Sequence, residues 1–245
     1  MSRIAANHWL RHQPIAHRGL HALENGVPEN SLKAFERAIA ANYAIALDLQ
    51  VTHDQNVIVF HDDDLKRACG MLIKVADKTY EGLRNYRLFK TSEHIPTLRE
   101  VLSLVNGRVP LLIGIRKQRG IRNANMIVQN CLIDYKGAFA IQSFDPCILS
   151  WFSHNVPLTL RGRLVSDLRQ EEMAGYKKWL FLGLRLNRFS KSDFISYDFR
   201  ALPSKMVDKQ RQGGKPVLVW TISSESERVL AQRYSDNIIF EGFEA

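Results

Sequence analysis

Two histidines stand at the ends of short apolar runs in this sequence. His17 closes the run PIAH (14–17), and His61 closes VIVFH (57–61). An imidazole titrates near neutral pH, so two of them can serve one reaction as general base and general acid. A single histidine on a strand is more often structural. Two that both lead from an apolar run into polar sequence favour acid–base chemistry.

Charged side chains accompany both histidines. Arg18 follows the first, Asp62 follows the second, and Arg116 ends a third apolar run. Asp48 lies in the middle of a fourth, AIALDLQV (44–51). A carboxylate in a buried strand needs a cation or hydrogen bonds to offset its loss of hydration. Asp48 is therefore a candidate partner of Arg18 or Arg116 in a buried ion pair, and the residues alone leave its role open.

Apolar runs typical of buried strands alternate with amphipathic helical patterns along the chain. We predict strands at 14–17, 44–51, 57–61, 110–116, 138–144, 158–164, 179–186, 193–199, 216–222 and 237–240. Helices are predicted at 31–42, 97–105, 124–135, 145–154, 203–212 and 224–234. Such alternation is typical of a parallel sheet covered on both faces. Because the chain has 245 residues and no glycine-rich phosphate loop, we expect an α/β fold, a single (β/α)8 TIM barrel over 1–245 with a small insertion near 53–94.

A barrel of this kind carries its chemistry at the C-terminal ends of its strands. Besides the two histidines, the polar segments expected at that rim are QSFDP (142–146), RGRL (161–164) and VWT (219–221). Trp220 in the last of these is a candidate contact for the substrate, although a tryptophan there more often serves packing alone.

The chain carries 34 Lys and Arg against 25 Asp and Glu, a net charge of +9. The stretch from Arg84 to Arg122 contains nine basic and two acidic residues. This bias favours an anionic ligand or contact with an anionic surface through a basic face, and a solvated face without a partner is an equal alternative. No nucleic-acid-binding module is recognisable, so we expect no specific nucleic-acid partner. The oligomeric state stays open.

Cysteine usage and hydropathy point to a cellular compartment. The three cysteines have no CxxC spacing, which argues against a disulfide framework or a zinc site. No apolar run approaches the roughly 20 residues that span a bilayer. The N-terminus also lacks the apolar core of a signal peptide. We therefore expect a cytoplasmic protein.

From about residue 14 to residue 242, the sequence resembles the glycerophosphodiester phosphodiesterase family. The motifs that carry the resemblance occur in this order: HRG, PENS, HDDDLKR, PTLREVL, SFDP and VWT. The resemblance implies a (β/α)8 barrel that hydrolyses a small-molecule phosphodiester to an alcohol and a phosphomonoester such as glycerol 3-phosphate. It also implies a divalent cation, Mg²⁺ or Ca²⁺, and a role in glycerol and lipid metabolism.

The resemblance also implies roles for individual residues. His17 and His61 match the catalytic acid–base pair, and the side chains expected to contact the substrate or its phosphate are Arg18, Arg116 and Trp220. Asp48 matches a metal ligand, with Glu29 as a second candidate. Asn30 and Asp62 are expected to shape the site.

Two positions depart from the family pattern. The second strand of the family reads E-x-D, a spacing that places both carboxylates on one face of a strand, whereas this chain has Ala46, Leu47 and Asp48. The third strand reads E-I-K in the family, and here Gly114 replaces its glutamate. Since hard cations take six or more oxygen ligands, we expect cation binding to be weak or absent and catalysis to be weak or lost. The alternative function is a non-catalytic barrel that binds phosphodiesters or anionic headgroups.

Overall fold

The computed structural model describes residues 3–118, 123–166 and 191–245. The chain divides into two compact units, Ala16–Phe139 and a second made of Met1–Ile15 with Ala140–Ala245. We call them the first and the second unit and describe each by itself.

The first unit begins within strand β1 (Ile15–His17). The elements that follow are α1 (Leu32–Ala40), β2 (Ala44–Val51), β3 (Val57–Val59), α2 (Lys66–Cys69), α3 (Tyr80–Leu83), α4 (Leu98–Val105), β4 (Leu111–Ile115) and α5 (Ala124–Leu132). Strand β4 lies parallel to β2, with Asp48 opposite Gly114. Both strands are almost wholly buried, as their continuous apolar sequence predicts.

Strand β3 runs antiparallel to β2, which pairs Leu49 with Val59. The turn between them is closed by the N–H of Thr52, which donates to the carbonyl oxygen of Asn56 (2.9 Å). The N–H of Phe60 donates to the carbonyl oxygen of Asp48 (2.9 Å). The chain therefore returns along β2, and this brings residue 61 back beside Asp48.

Helix α1 and the loop before it are fixed by two local features. Ser31 caps the helix: its Oγ accepts a hydrogen bond from the N–H of Ala34 (3.1 Å) and donates to the carbonyl oxygen of Pro28 (2.7 Å). Gly19 has a φ of +83°, and a Cβ there would lie 2.9 Å from Ala34 and Phe35. Only glycine lets this loop pack so closely on α1.

The segment between β3 and α4 has a hydrophobic cluster of its own. Its buried members are Ile58, Phe60, Leu65, Ala68, Val75, Leu83, Leu88 and Ile95. Short helices α2 and α3 and two 3₁₀ turns, Val75–Asp77 and Leu88–Lys90, surround this cluster. The cluster lies largely within the segment predicted as an insertion near 53–94, which stays a prediction.

The second unit contains five strands, all parallel to their neighbours in the part of the chain that the structure describes. Its elements are β5 (Phe139–Ser143), α6 (Pro146–Asn155), β6 (Leu160–Val165), β7 (Phe194–Asp198), α7 (Lys205–Gln212), β8 (Val217–Ile222), α8 (Glu225–Ala231) and β9 (Asn237–Phe240). Arg161 lies at the start of β6 and donates to the carbonyl oxygens of Pro157 and Thr159. The expectation that Arg161 belongs to the C-terminal rim is therefore wrong, because its side chain turns back toward the residues before the strand.

The predicted strands and helices agree with the observed ones to within a few residues wherever the structure describes them. The strand predicted at 179–186 lies outside the described residues. The predicted fold class, a (β/α)8 barrel, is confirmed. Among the described residues, none of the helices has the length and apolar character needed to cross a bilayer.

Candidate functional site

The ends of β1, β2, β3 and β4 bring most of the predicted site residues together in the first unit. The N–H of Arg18 donates to the carbonyl oxygen of Ala46 (2.7 Å), which places the HRG segment against β2. His61 returns beside Asp48 through the β2–β3 hairpin, and Arg116 follows β4 directly. Trp220 lies in the second unit, where its ring meets that of Phe144 edge-on at 5.9 Å.

The first loop, between β1 and α1, holds two residues in the left-handed backbone region, Arg18 (φ 57°) and Asn30 (φ 53°). The N–H of Asn30 donates to the carbonyl oxygen of Arg18 (2.9 Å), so the two strained residues support each other. Such backbone strain in non-glycine residues is concentrated at functional sites. The Asn30 amide is 2% exposed, and neither of its polar atoms has a hydrogen-bond partner among the described residues. This buried amide therefore has hydrogen-bonding capacity that no described residue uses.

Arg18 contacts two carboxylates. Its Nη1 donates to Glu29 Oε1 (2.8 Å), and its Nε lies 3.4 Å from Asp48 Oδ2. All three side chains are mostly buried. Asp48 thus lies within ion-pair distance of Arg18, but this contact is not a hydrogen bond, and Oδ2 has no hydrogen-bond partner among the described residues. The role of Asp48 as a metal ligand stays a prediction.

His61 is held through both its ring and its backbone. Its Nδ1 lies 2.6 Å from Asp62 Oδ1. Its carbonyl oxygen accepts hydrogen bonds from Arg116 Nη1 (2.7 Å) and Gln50 Nε2 (3.3 Å). Gln50 is in turn hydrogen-bonded to Gln118. Arg116 therefore supports the His61 backbone in addition to any contact with substrate.

Arg67 was not among the site residues predicted from the sequence, and it connects Asp62 with Glu29. Its Nε donates to Asp62 Oδ2 (2.7 Å), while Nη1 and Nη2 donate to Glu29 Oε2 (2.9 Å) and Oε1 (2.6 Å). The signal available in the sequence was its place in HDDDLKR, six residues after His61.

The two carboxylates that Arg67 contacts stay ionised. Burial raises the pKa of Glu29, but hydrogen bonds from Arg67 and the charge of Arg18 outweigh burial and lower it overall. For Asp62, burial is again outweighed, here by hydrogen bonds from Arg67 and His61, and the pKa is lowered. Because an ionised carboxylate only accepts hydrogen bonds, the contact between Asp62 and His61 requires a proton on Nδ1. The His61 Nε2 is then the ring atom left for acid–base work.

A divalent cation does not fit the side chains found here. Within the described ranges, no group of three or more His, Cys, Asp or Glu side chains is arranged to hold a metal ion. Ala46 and Gly114 offer no side-chain oxygen, and Asp48 is paired with Arg18. A Cβ at position 114 would lie 3.0 Å from Asp48 Oδ1. The Asp48 carboxylate therefore uses the space where a glutamate at 114 would begin.

Comparison with known proteins identifies the family. The model of the glycerophosphoryl diester phosphodiesterase family matches residues 17–240. A glycerophosphodiester phosphodiesterase of Caldanaerobacter subterraneus subsp. tengcongensis is 28% identical over 228 residues, which cover 87% of this chain and 86% of that protein. One from Bacillus altitudinis is 36% identical over 114 residues, 44% of this chain and 45% of that protein. The chain thus spans less than half the length of this second relative.

Solved structures agree with the fold. An Oleispira antarctica phosphodiesterase in complex with the product sn-glycerol-3-phosphate superposes with a TM-score of 0.78 at 19% identity, over 94% of this chain and 92% of that one. A glycerophosphodiester phosphodiesterase from Thermotoga maritima gives 0.71 at 25% identity, over 94% of each chain. Since the family model covers most of the sequence, the chain belongs to the glycerophosphoryl diester phosphodiesterase family.

Proposed function

We propose that this protein binds a glycerophosphodiester and hydrolyses it slowly to an alcohol and glycerol 3-phosphate. The observation that carries the proposal is the His61–Asp62 pair, with Nδ1 and Oδ1 2.6 Å apart. An imidazole oriented by an ionised carboxylate is a recurrent arrangement in acid–base catalysis.

In the proposed reaction, a water molecule attacks phosphorus and the bond from phosphorus to the leaving alcohol oxygen breaks. One imidazole, of His17 or His61, accepts the proton of the attacking water. The other donates a proton to the departing oxygen, so that a neutral alcohol leaves. Arg18 and Arg116 supply positive charge for the phosphoryl oxygens, and guanidinium forks suit such oxygens. The buried amide of Asn30 is available to the same group.

The cation that the family generally uses plays no part in this proposal. The described side chains do not fit Mg²⁺ or Ca²⁺, because Asp48 lies against Arg18 and positions 46 and 114 carry no side-chain oxygen. In the family such a cation polarises the phosphoryl group and orients the nucleophile. Without that contribution, we expect turnover well below that of a chain with the full set of carboxylates.

The test is release of glycerol 3-phosphate from glycerophosphocholine, measured with a chelator, with Mg²⁺ and with Ca²⁺. We expect slow release that the cations change by less than about twofold and that His61→Ala abolishes. Release that is equal in His61→Ala and in the unchanged protein would show that the activity comes from a contaminant.

A second candidate function is binding without turnover, which the Arg18–Asp48 pair and the loss of two carboxylates favour. It predicts that glycerophosphocholine binds in the presence of a chelator and is recovered intact. Isothermal titration with parallel product analysis separates the two functions. Binding with no product after prolonged incubation selects the second.

The location proposed from the sequence is the cytoplasm. Among the described residues, Cys69, Cys131 and Cys147 form no disulfide, which is typical of proteins in a reducing compartment. Cell fractionation with an antibody to the native protein tests this proposal, and recovery in a secreted fraction would contradict it.

A further inference from the structure

We propose that Arg67 is a positioning residue that holds the His61–Asp62 pair and the Glu29 loop in one fixed arrangement. The inference rests on the proposed function, because it takes His61 as the acid–base residue. No part of the chemistry described above uses Arg67 directly.

All three nitrogens of the Arg67 guanidinium are engaged. Nε donates to one oxygen of Asp62, and the two terminal nitrogens donate to both oxygens of Glu29, at 2.6 to 2.9 Å. Glu29 and Arg67 are 38 positions apart in the chain, so the contact joins two separate segments. A planar guanidinium can make these three bonds at once, whereas an ammonium group presents a single point.

Asp62 connects Arg67 to the imidazole of His61. One carboxylate oxygen, Oδ1, accepts from the imidazole, and the other, Oδ2, accepts from Arg67. With Oδ2 held, the carboxylate cannot rotate away from the ring without breaking a charge-assisted bond. The Asp62 side chain is 21% exposed, so water would compete for it if Arg67 were absent. Arg67 thus fixes Asp62, and Asp62 fixes the ring and its protonated nitrogen.

Glu29 connects Arg67 to Arg18 in the first loop. Its Oε1 accepts from Arg67 and also from Arg18 Nη1 (2.8 Å). Arg18 is the residue proposed to meet the phosphate, and its backbone is strained. The chain of contacts from His61 through Asp62, Arg67 and Glu29 to Arg18 therefore sets the acid–base group and the phosphate-binding group in relation to each other.

Arg67 itself packs on the hydrophobic cluster through Phe89. Its guanidinium carbon lies 5.4 Å from the centre of the Phe89 ring, within the range of a cation–π contact. Phe89 packs against the hydrophobic cluster between β3 and α4. The side chain of Arg67 is 45% exposed, so a substitution there removes few packing contacts.

The experiment compares Arg67→Ala and Arg67→Lys with the unchanged protein. Arg84→Ala is the matched control, because Arg84 lies in the same segment and its guanidinium donates to an exposed carboxylate, Glu81 (2.9 Å), that is not part of the site. The first readout is the proton signal of the His61 ring Nδ1–H in nuclear magnetic resonance, which needs no turnover. The second is kcat and KM for glycerophosphocholine. Circular dichroism checks that each variant is folded.

In Arg67→Ala we expect the Nδ1–H signal to move upfield or to disappear by exchange with water. We expect kcat to fall about tenfold, the size typical of losing a residue that orients a functional group. Arg67→Lys should restore neither the Nδ1–H signal nor kcat. Arg84→Ala should leave both as they are in the unchanged protein. An unchanged Nδ1–H signal in Arg67→Ala, or full activity in Arg67→Lys, would overturn the proposal. If the unchanged protein has no turnover, the proposed hydrolysis fails while the Nδ1–H signal still decides the role of Arg67.

Discussion

At the scale of single residues, the site is dominated by arginine–carboxylate contacts. Glu29, Asp48 and Asp62 each contact a guanidinium group, supplied by Arg18 or Arg67. In a metal site such carboxylates would turn their oxygens to a cation. Positions 46 and 114 carry Ala and Gly, and the neighbouring carboxylate, Asp48, lies 3.4 Å from the Nε of Arg18.

A double substitution tests this account. Ala46→Glu with Gly114→Glu adds two carboxylates beside Asp48, and the side chain at 114 must displace Asp48 Oδ1, which lies 3.0 Å from its Cβ position. We expect the displaced Asp48 and the two new groups to bind Ca²⁺ or Mg²⁺. The cation should then raise the melting temperature of the double variant and leave that of the unchanged protein unaffected. Equal shifts in both proteins would show that a site exists without the added groups.

The carboxylates also predict a dependence of stability on pH. The native pKa values of Glu29 and Asp62 lie below their ordinary values. Their stabilising contribution is therefore complete above about pH 4.5 and is lost as pH falls through the lowered native values. In urea unfolding, Glu29→Gln should lose about 1–3 kcal/mol at pH 7 and less at pH 3. Glu24→Gln, an exposed position in the same loop, is the control and should lose little at either pH.

At the scale of elements, the sequence predicts the strands and helices well but not their direction of pairing. Runs such as 44–51 and 237–240 are found with the predicted bounds, because buried strands need continuous apolar sequence. The run at 57–61 carries the same signal, yet β3 is antiparallel to β2. The tight turn before β3 sets its antiparallel direction, and the hydropathy pattern does not reveal the direction of a strand. The contact between Arg67 and Glu29 was likewise hidden, since it depends on how two distant segments meet.

The cap of α1 links an element to the site. Ser31 is fully buried and follows Glu29 and Asn30 directly. Ser31→Ala leaves the N–H of Ala34 and the carbonyl oxygen of Pro28 without their partner, so we expect a loss of about 1–2 kcal/mol in the free energy of unfolding. Ser103→Ala, at an exposed position inside α4, should change it by less than about 0.5 kcal/mol. Equal losses in both variants would show that the cap contributes nothing special.

At the scale of the whole molecule, the net charge is +9, and several of the basic side chains make local contacts. Arg84 pairs with Glu81, Arg108 donates to the carbonyl oxygens of Leu104 and Val105 at the end of α4, and Arg116 holds the His61 carbonyl. A guanidinium that donates to a carbonyl oxygen keeps its full charge, so of these contacts only the pair with Glu81 offsets a positive charge locally. The anionic surface contact predicted from the sequence remains a prediction.

We expect this charge to give only weak, screened attraction to polyanions. The protein should bind a heparin column at low ionic strength and leave it below about 0.2 M NaCl, because exposed charges are screened within about 8 Å at physiological salt. The same matrix without heparin controls for adsorption. Retention beyond about 0.5 M NaCl would instead indicate a dedicated polyanion site.

The β2–β3 hairpin has a consequence for how this chain can evolve. Successive residues of a strand face opposite sides, so sliding β3 by one residue along β2 would move the segment that carries His61 toward the wrong side of the sheet. The register between β2 and β3 is therefore a constraint on the site in addition to the identity of His61. Length changes should accumulate instead in the stretch after Arg67, where an extra residue leaves the spacing from Asp48 through His61 and Asp62 to Arg67 intact.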